Sequence, residues 1–375
     1  MKMKRVILAG LIMCLLASVF VGCTKEATFT PAPEKKMVTI VDGTGKYVEI
    51  PIPVNRIISI AEGRSSELIC MLGDGDKIVG RDSLSTFPSY LKDIPEVAKT
   101  SFNPNVELLL ELKPDVVIAG TMLDISPGVR EKIENAGVPV IVDAFADPSR
   151  LIPSISNLGM VLGKKEKAQE IIDYIEQYRN LVKMRLMKLN PEDKPSVFFE
   201  WRGQPYLSCS AEGIFHKTLV DAGARNIAAG EPTAYPNLSA EWVFSRNPDV
   251  IVKCSIAAGL ELEEMKKERE ELMARAGLDN LVATQDGKVY IISYAVTAAS
   301  RYHVGLLAFA KWFHPDLFCD IDIESIHQET IEKFFGEEEW QKLDTVSYYP
   351  MSGPTCEEPD LPEGGMPGRM PGRMK

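Results

Sequence analysis

The chain has 375 residues, with 42 Lys and Arg against 53 Asp and Glu and a formal net charge of −11. An acidic balance of this size repels phosphate backbones, so nucleic acid is not an expected partner. The 45% apolar content is that of an ordinary globular protein, and the length is sufficient for two separate cores.

Three of the first five residues are basic, Val6 to Val21 is an apolar run, and Gly22-Cys23 follows it. A basic head, an apolar stretch shorter than the ~20 residues that span a bilayer and an exit through small residues make a secretory signal. Lipidation of Cys23 after cleavage of residues 1–22 is the sharper reading. A plain signal peptide or an uncleaved anchor are its alternatives, because Phe20 stands where Leu is usual three residues before such a cysteine. Loss of Lys2, Lys4 and Arg5 with the leader takes the net charge from −11 to −14. Polar, proline-containing residues 23–36 read as a lipidated tether that holds a folded body off a membrane. The expectation is an exported monomer on the outer face of the cytoplasmic membrane. Cys70, Cys209, Cys254, Cys319 and Cys356 are far apart and form no CxxC, so neither a zinc site nor a disulfide framework is expected.

From Met37 the elements follow in order. Val38-Thr-Ile-Val and Tyr47-Val-Glu-Ile flank a Gly-containing turn and predict a hairpin. Strands are expected at residues 56–61, 77–80, 115–119 and 138–142, with a helix from about Ser65 to Leu72 stopped at Gly73. Such alternation implies a parallel, doubly wound sheet. From Leu151 the pattern becomes helical for some forty residues, broken at Gly163. Ala168, Ile171, Ile175, Tyr178, Val182, Leu186 and Leu189 recur at three- and four-residue steps, predicting one helix over 165–189 that bridges two lobes. Strands restart at 196–199, 249–252 and 288–292. The resulting division is an N-lobe at 37–148, connecting helices at 149–190, a C-lobe at 191–336 and a C-terminal segment at 337–375. The last of these ends in a Pro-, Gly- and Met-rich tail too poor in apolar residues to fold. The fold class is therefore α/β, two doubly wound lobes joined by a single long connecting helix.

Four segments in this order resemble the periplasmic iron-siderophore and cobalamin (class III) substrate-binding proteins of ABC importers. They are the Val-Thr-Ile-Val-Asp-Gly-Thr-Gly hairpin at 38–45; Arg56-Ile-Ile-Ser-Ile with Ser66-Glu-Leu and Leu72-Gly-Asp-Gly-Asp-Lys-Ile-Val-Gly; Asn105-Val-Glu-Leu-Leu-Leu-Glu-Leu-Lys-Pro-Asp-Val-Val-Ile; and Ala240-Glu-Trp-Val-Phe-Ser-Arg-Asn-Pro-Asp-Val-Ile-Val. The stretch from Arg301 through Glu329 is similar to the C-terminal end of iron-complex transporters. The resemblance covers residues 37–336. It implies a ligand held in a shallow cleft between the lobes, and a docking carboxylate on each lobe for arginines of the importer permease, at Glu107 and Glu241. Two separated carboxylates fix orientation as well as affinity. The alternative for each is an acidic residue favoured in a first helical turn by the helix dipole.

Ligands of open α/β sheets collect beyond the carboxyl ends of the strands. That rule nominates Arg64 and Arg81 in the N-lobe, and Trp201, Arg202, Tyr206, Tyr235, Tyr294 and Arg301 in the C-lobe. Arginines would hold oxygens of an anionic chelate and aromatics would pack its flat faces. Solvated surface charge and core packing are the competing readings. Tyr302 and His303 are candidates for direct metal coordination, with a structural role at the start of a helix as the competing reading. Four candidate cleft arginines favour a ferric siderophore as ligand over cobalamin or haem; a ligand sensor not coupled to transport is the reading from another class. No cofactor beyond the bound chelate is expected. Enzyme signatures such as Gly-x-Ser-x-Gly, a P-loop or His-Glu-x-x-His are absent, so catalysis is not expected.

Overall fold

The computed structural model describes residues 36–201, 204–255, 261–343 and 346–350. Cys23, the tether, Arg202 and the tail after Pro350 lie outside them. Strands β1 (Lys36–Val41) and β2 (Tyr47–Ile52) pair as a two-stranded sheet. Its turn is pinned to the body by a buried cluster in which the Arg130 guanidinium donates to Asp42 at 2.8 Å and Gly43 N–H donates to Val142.

The N-lobe sheet follows with β3 (Ile57–Ile60), α1 (Arg64–Met71), β4 (Ile78–Asp82), β5 (Glu96–Ala98), α2 (Val106–Glu111), β6 (Val116–Gly120), α3 (Val129–Asn135) and β7 (Val140–Asp143). Its order is β5-β4-β3-β6-β7 and every pairing is parallel. Parallel strands covered on both faces are apolar throughout, which is why β3, β6 and β7 read as continuous buried runs.

Helices α4 (Leu151–Val161) and α5 (Lys165–Leu186) then lead to the C-lobe. At ~1.5 Å per residue α5 is roughly 33 Å long, one turn shorter than the sequence pattern suggests. Its buried face is Ala168, Ile171, Tyr174, Ile175, Tyr178 and Val182. Six apolar side chains at about 1.5–3 kcal/mol each give this helix a gross stabilisation on the order of 10 kcal/mol against its packing partners.

The C-lobe comprises β8 (Ser196–Trp201), α6 (Ile214–Asp221), β9 (Arg225–Asn226), α7 (Ala240–Arg246), β10 (Val250–Ser255), α8 (Leu262–Met273), α9 (Val282–Gln285), β11 (Val289–Ser293), α10 (Tyr302–Phe313), α11 (Pro315–Phe318), α12 (Ile323–Phe335), α13 (Glu337–Gln341) and β12 (Tyr348–Tyr349). The sheet order is β12-β11-β10-β8-β9, parallel except for β12. The expected end of this lobe at residue 336 is thus too early: β12 closes the sheet edge, and Glu339 accepts from Ser89 N–H and Oγ of the N-lobe.

One apolar cluster runs without a break from Ile57 and Leu68 through α4 and α5 to Phe199, Phe309 and Tyr348. Cross-lobe polar contacts reinforce it. The Arg301 guanidinium donates to both Glu67 oxygens, at 2.6 and 3.0 Å, and Ser300 Oγ donates to the same carboxylate. Among the described residues no helix is long and apolar enough to cross a membrane.

Candidate functional site

In the N-lobe the chain leaves β3 to one side and returns to β6 on the other, so loops diverge beyond the carboxyl ends of these two neighbours. In the C-lobe β8 and β10 stand in the same relation. A cavity of about 430 Å³ lies where these ends meet. Its N-lobe wall is Ala61, Glu62 and Arg64 after β3, Gly120 to Met122 and Ile125 after β6, and Asp143 to Asp147 after β7; its C-lobe wall is Trp201, Leu207, Ile214, Tyr235 and Tyr294.

The β3–α1 turn sets the floor. Glu62 and Gly63 are both left-handed, with φ of 51° and 82°. A Cβ on Gly63 would stand 2.9 Å from the Leu84 carbonyl oxygen, so only glycine lets the turn pass. This geometry directs the Glu62 carboxylate to Ser101, whose N–H and Oγ donate to it at 3.0 and 2.8 Å. The Arg64 guanidinium donates to Glu62 and to the Ala61 carbonyl at 3.3 Å each, and lies 4.0 Å over the Tyr294 ring. One N-lobe cation therefore rests on a C-lobe aromatic. Arg64 Nε is buried without a hydrogen-bond partner, a donor available to a bound molecule.

Trp201 is the last residue of β8, and the two-residue period of that strand turns it with Val197 and Phe199 towards the cavity side. Its ring meets Tyr294 edge-on at 4.7 Å and Phe215 at 4.5 Å. Burial pushes the Tyr294 phenol up to about 12, so it is neutral and acts as a hydrogen-bonding aromatic surface. Tyr235 is 39% exposed at the rim.

Among the described lining residues the charge is the reverse of that expected. Arg64 is the one cation among its described lining residues, whereas Glu62, Asp143 and Asp147 are acidic. Asp143 is neutralised from outside by Arg150 at 3.0 and 3.2 Å. Of the four arginines proposed from sequence, Arg202 is outside the described residues and two more are elsewhere. Arg81 donates to the carbonyls of Leu91, Asp82 and Lys92, closing the 89–93 turn. Arg301 is 2% exposed and paired with Glu67 across the lobe seam. Both corrections have one cause: a buried guanidinium needs several acceptors, and the interior supplied them.

Tyr206 likewise misses the cavity. It packs with Phe198 and Arg275 on the opposite face of the C-lobe sheet, its N–H donating to Glu200. Tyr302 is wholly buried in α10 and burial raises its phenol. His303 lies in the core, stacked on Tyr178 at 5.2 Å and hydrogen-bonded to Thr330 Oγ1 at 2.8 Å. Burial drives its pKa down to about 3. Neither Tyr302 nor His303 can reach a metal in the cleft. Among the described residues no group of three or more His, Cys, Asp or Glu is placed to hold a metal ion.

Residues that the sequence did not single out complete the lining. Met122, Ile125, Phe145, Leu207 and Ile214 follow strands or begin helices, where apolar residues look like ordinary core. Glu62 carried a usable signal: an acidic residue before glycine at the carboxyl end of a central strand.

Glu107 and Glu241 occupy matching positions. Each is the second residue of a short helix, α2 or α7, whose cap side chain, Asn105 or Ser239, accepts from the N–H three residues on. Both glutamates are exposed and neither has an ion pair among the described residues.

The sequence pattern of the periplasmic binding proteins matches residues 58–295. The chain is 25% identical over 327 residues to the uncharacterized ABC transporter substrate-binding lipoprotein YvrC of Bacillus subtilis, covering 85% of this chain and 99% of that protein. It is 27% identical over 199 residues to the vitamin B12-binding protein of Vibrio campbellii, covering 53% of this chain and 70% of that one. The crystal structure of the TroA-like periplasmic binding protein FepB from Veillonella parvula superimposes with a TM-score of 0.68 at 22% identity, over 84% of this chain and all of that one. The pattern spans well over half of the chain, and this chain belongs to the periplasmic binding protein family.

Proposed function

We propose that the protein captures a metal chelate in the interlobe cavity and presents it to an ABC importer, with a neutral or cationic chelate of the corrinoid class as the ligand. One observation carries the ligand class: the described lining joins aromatic and aliphatic side chains to three carboxylates, of which Glu62 is paired with Arg64, Asp143 with Arg150, and Asp147 with no cation among the described residues. An anionic ferric catecholate, or the two carboxylates of haem, would meet like charge there, at a cost of about 1 kcal/mol or more per close pair. A corrinoid offers flat apolar faces to Trp201 and Tyr294 and peripheral amides to Glu62 and Arg64 Nε. Its similarity to vitamin B12-binding proteins supports the same choice.

Delivery rests on Glu107 and Glu241, exposed at equivalent helix starts on the two lobes. A rigid seam suits this role, because a receptor that reads two separated carboxylates needs their spacing fixed.

Titration of the intrinsic Trp fluorescence with cobalamin, haem and a ferric tris-catecholate tests the ligand class. Trp201 is in the cavity wall, so cobalamin is expected to quench it saturably and most tightly. A ferric tris-catecholate binding at least tenfold tighter than cobalamin refutes the corrinoid choice while leaving the binding role intact. Absence of saturable binding by all three refutes both.

A further inference from the structure

A second concavity, about 540 Å³, lies at the other end of the C-lobe sheet. Lys194 and Gly223 in its wall precede β8 and β9, whereas Trp201 in the ligand cavity ends β8. Six strand residues at ~3.3 Å each put the two sites roughly 20 Å apart. The groove runs between the last turns of α5 and helix α6, with Leu186, Met187 and Val220 forming apolar surface.

Its charge is unlike that of the chain as a whole. Arg179, Lys183, Lys194 and Lys217 line it against two acids, Glu176 and Asp221, in a protein whose net charge is −11. The acids are already engaged, Glu176 by Arg179 at 2.5 Å and Asp221 by Lys217 at 2.8 and 2.9 Å. Lys183 and Lys194 are left with no acidic partner among the described residues. Lysines at helix carboxyl ends often serve only to offset the helix dipole. Lys183 stands in the last turn of α5, where it offsets that helix's dipole; Lys194 lies beyond α5, and α6 is already closed, because Gly223 and Ala224 N–H donate to Val220 and Leu219 carbonyls and His314 Nε2 donates to the Gly223 carbonyl at 3.1 Å. Beneath the groove, the Tyr302 hydroxyl and Thr218 Oγ1 are buried next to Asp221, and neither makes a hydrogen bond of normal geometry.

We infer that this groove is a second binding site, for a phosphate ester carrying an apolar chain. The two uncommitted ammonium groups and Arg179 meet the phosphate oxygens as charge-assisted donors, and the chain lies along Leu186, Met187 and Val220. The phosphate can belong to a soluble ester or to a lipid headgroup; the chemistry of recognition is the same.

The experiment uses the full chain with octyl phosphate as soluble probe, and vesicles of phosphatidylglycerol against phosphatidylcholine as the membrane probe. Octyl phosphate is expected to bind saturably, with affinity falling as salt is raised. The Lys183→Gln/Lys194→Gln variant should lose about tenfold of that affinity, together with any excess partition into phosphatidylglycerol. Cobalamin quenching at the distant cleft serves as the check on folding and should not change. Excess partition abolished by the variant identifies a lipid headgroup as the source, and octyl phosphate binding without it identifies a soluble ester. No saturable binding of octyl phosphate and no phosphatidylglycerol preference, or binding indifferent to both substitutions, overturns the inference and leaves the lysines as offsets to the helix ends.

Discussion

Replacing Glu67 by Gln separates the role of Arg301 in the structure from the role its sequence position suggests. Glu67 sits on α1 of the N-lobe, and its carboxylate accepts from Arg301 at 2.6 and 3.0 Å and from Ser300. Arg301 is only 2% exposed, so Glu67→Gln leaves a guanidinium buried without its counter-charge. Breaking one side of a buried pair costs about 3–5 kcal/mol. In a folded unit of this size that lowers the melting midpoint by roughly 10 °C. The double variant Glu67→Leu/Arg301→Met removes both charges together and should recover most of the loss, since an apolar pair of similar volume avoids the desolvation cost. Thermal unfolding followed by circular dichroism reads both, with cobalamin titration alongside. A Glu67→Gln loss under 1 kcal/mol, or a double variant as unstable as the single one, refutes the account of the seam. Loss of ligand affinity in the double variant at full stability would return Arg301 to the cleft.

Four further outcomes are expected. Arg64→Ala should weaken cobalamin binding about tenfold and also lower stability, because it removes the Nε donor, the cation above Tyr294 and the partner of Glu62; an unchanged affinity refutes its place in the site. Glu62→Gln should shift selectivity towards anionic chelates, measured as the ratio of haem to cobalamin affinity, and an unchanged ratio counts against charge as the selector. Glu107→Ala/Glu241→Ala should abolish uptake in cells while leaving ligand affinity intact, and normal uptake excludes the docking role. Stability should fall on acidification from pH 7 to 5. His303 and His327 are buried and neutral, with pKa values depressed by desolvation, so below pH ~6.5 the unfolded chain takes up protons that the native state refuses. Each contributes about 1.4 kcal/mol per pH unit in that range, and Asp82, raised to about 6 by burial, opposes by the equivalent of one proton below that pH. The net expected loss is about 1.4 kcal/mol per unit once all three groups respond, measured by denaturant melts, and His303→Gln should flatten the slope.

The sequence by itself determined the elements that repeat a period. Buried parallel strands were read from the sequence at 56–61, 115–119, 249–252 and 288–292, and the face of α5 recurred at three- and four-residue steps. These patterns fixed the two α/β lobes and their helical connector, because burial of one face needs no knowledge of what covers it. Short edges escaped: β5, β9 and β12 are two or three residues long and too brief to carry a period.

Side-chain direction was decided only by the tertiary structure. Trp201 and Tyr206 are five residues apart after the same strand, yet one faces the cavity and the other the opposite side of the sheet. Arg64 and Arg301 both sit beside helix starts near strand ends, and only the first reaches the cleft. Glu67 approaches the second from the other lobe, 234 residues away. A charged residue goes where its partners are, and partners distant in sequence are brought together only by folding. The same reason took Arg81 and Arg301 out of the cleft: the arginines were legible as residues, and their acceptors were not.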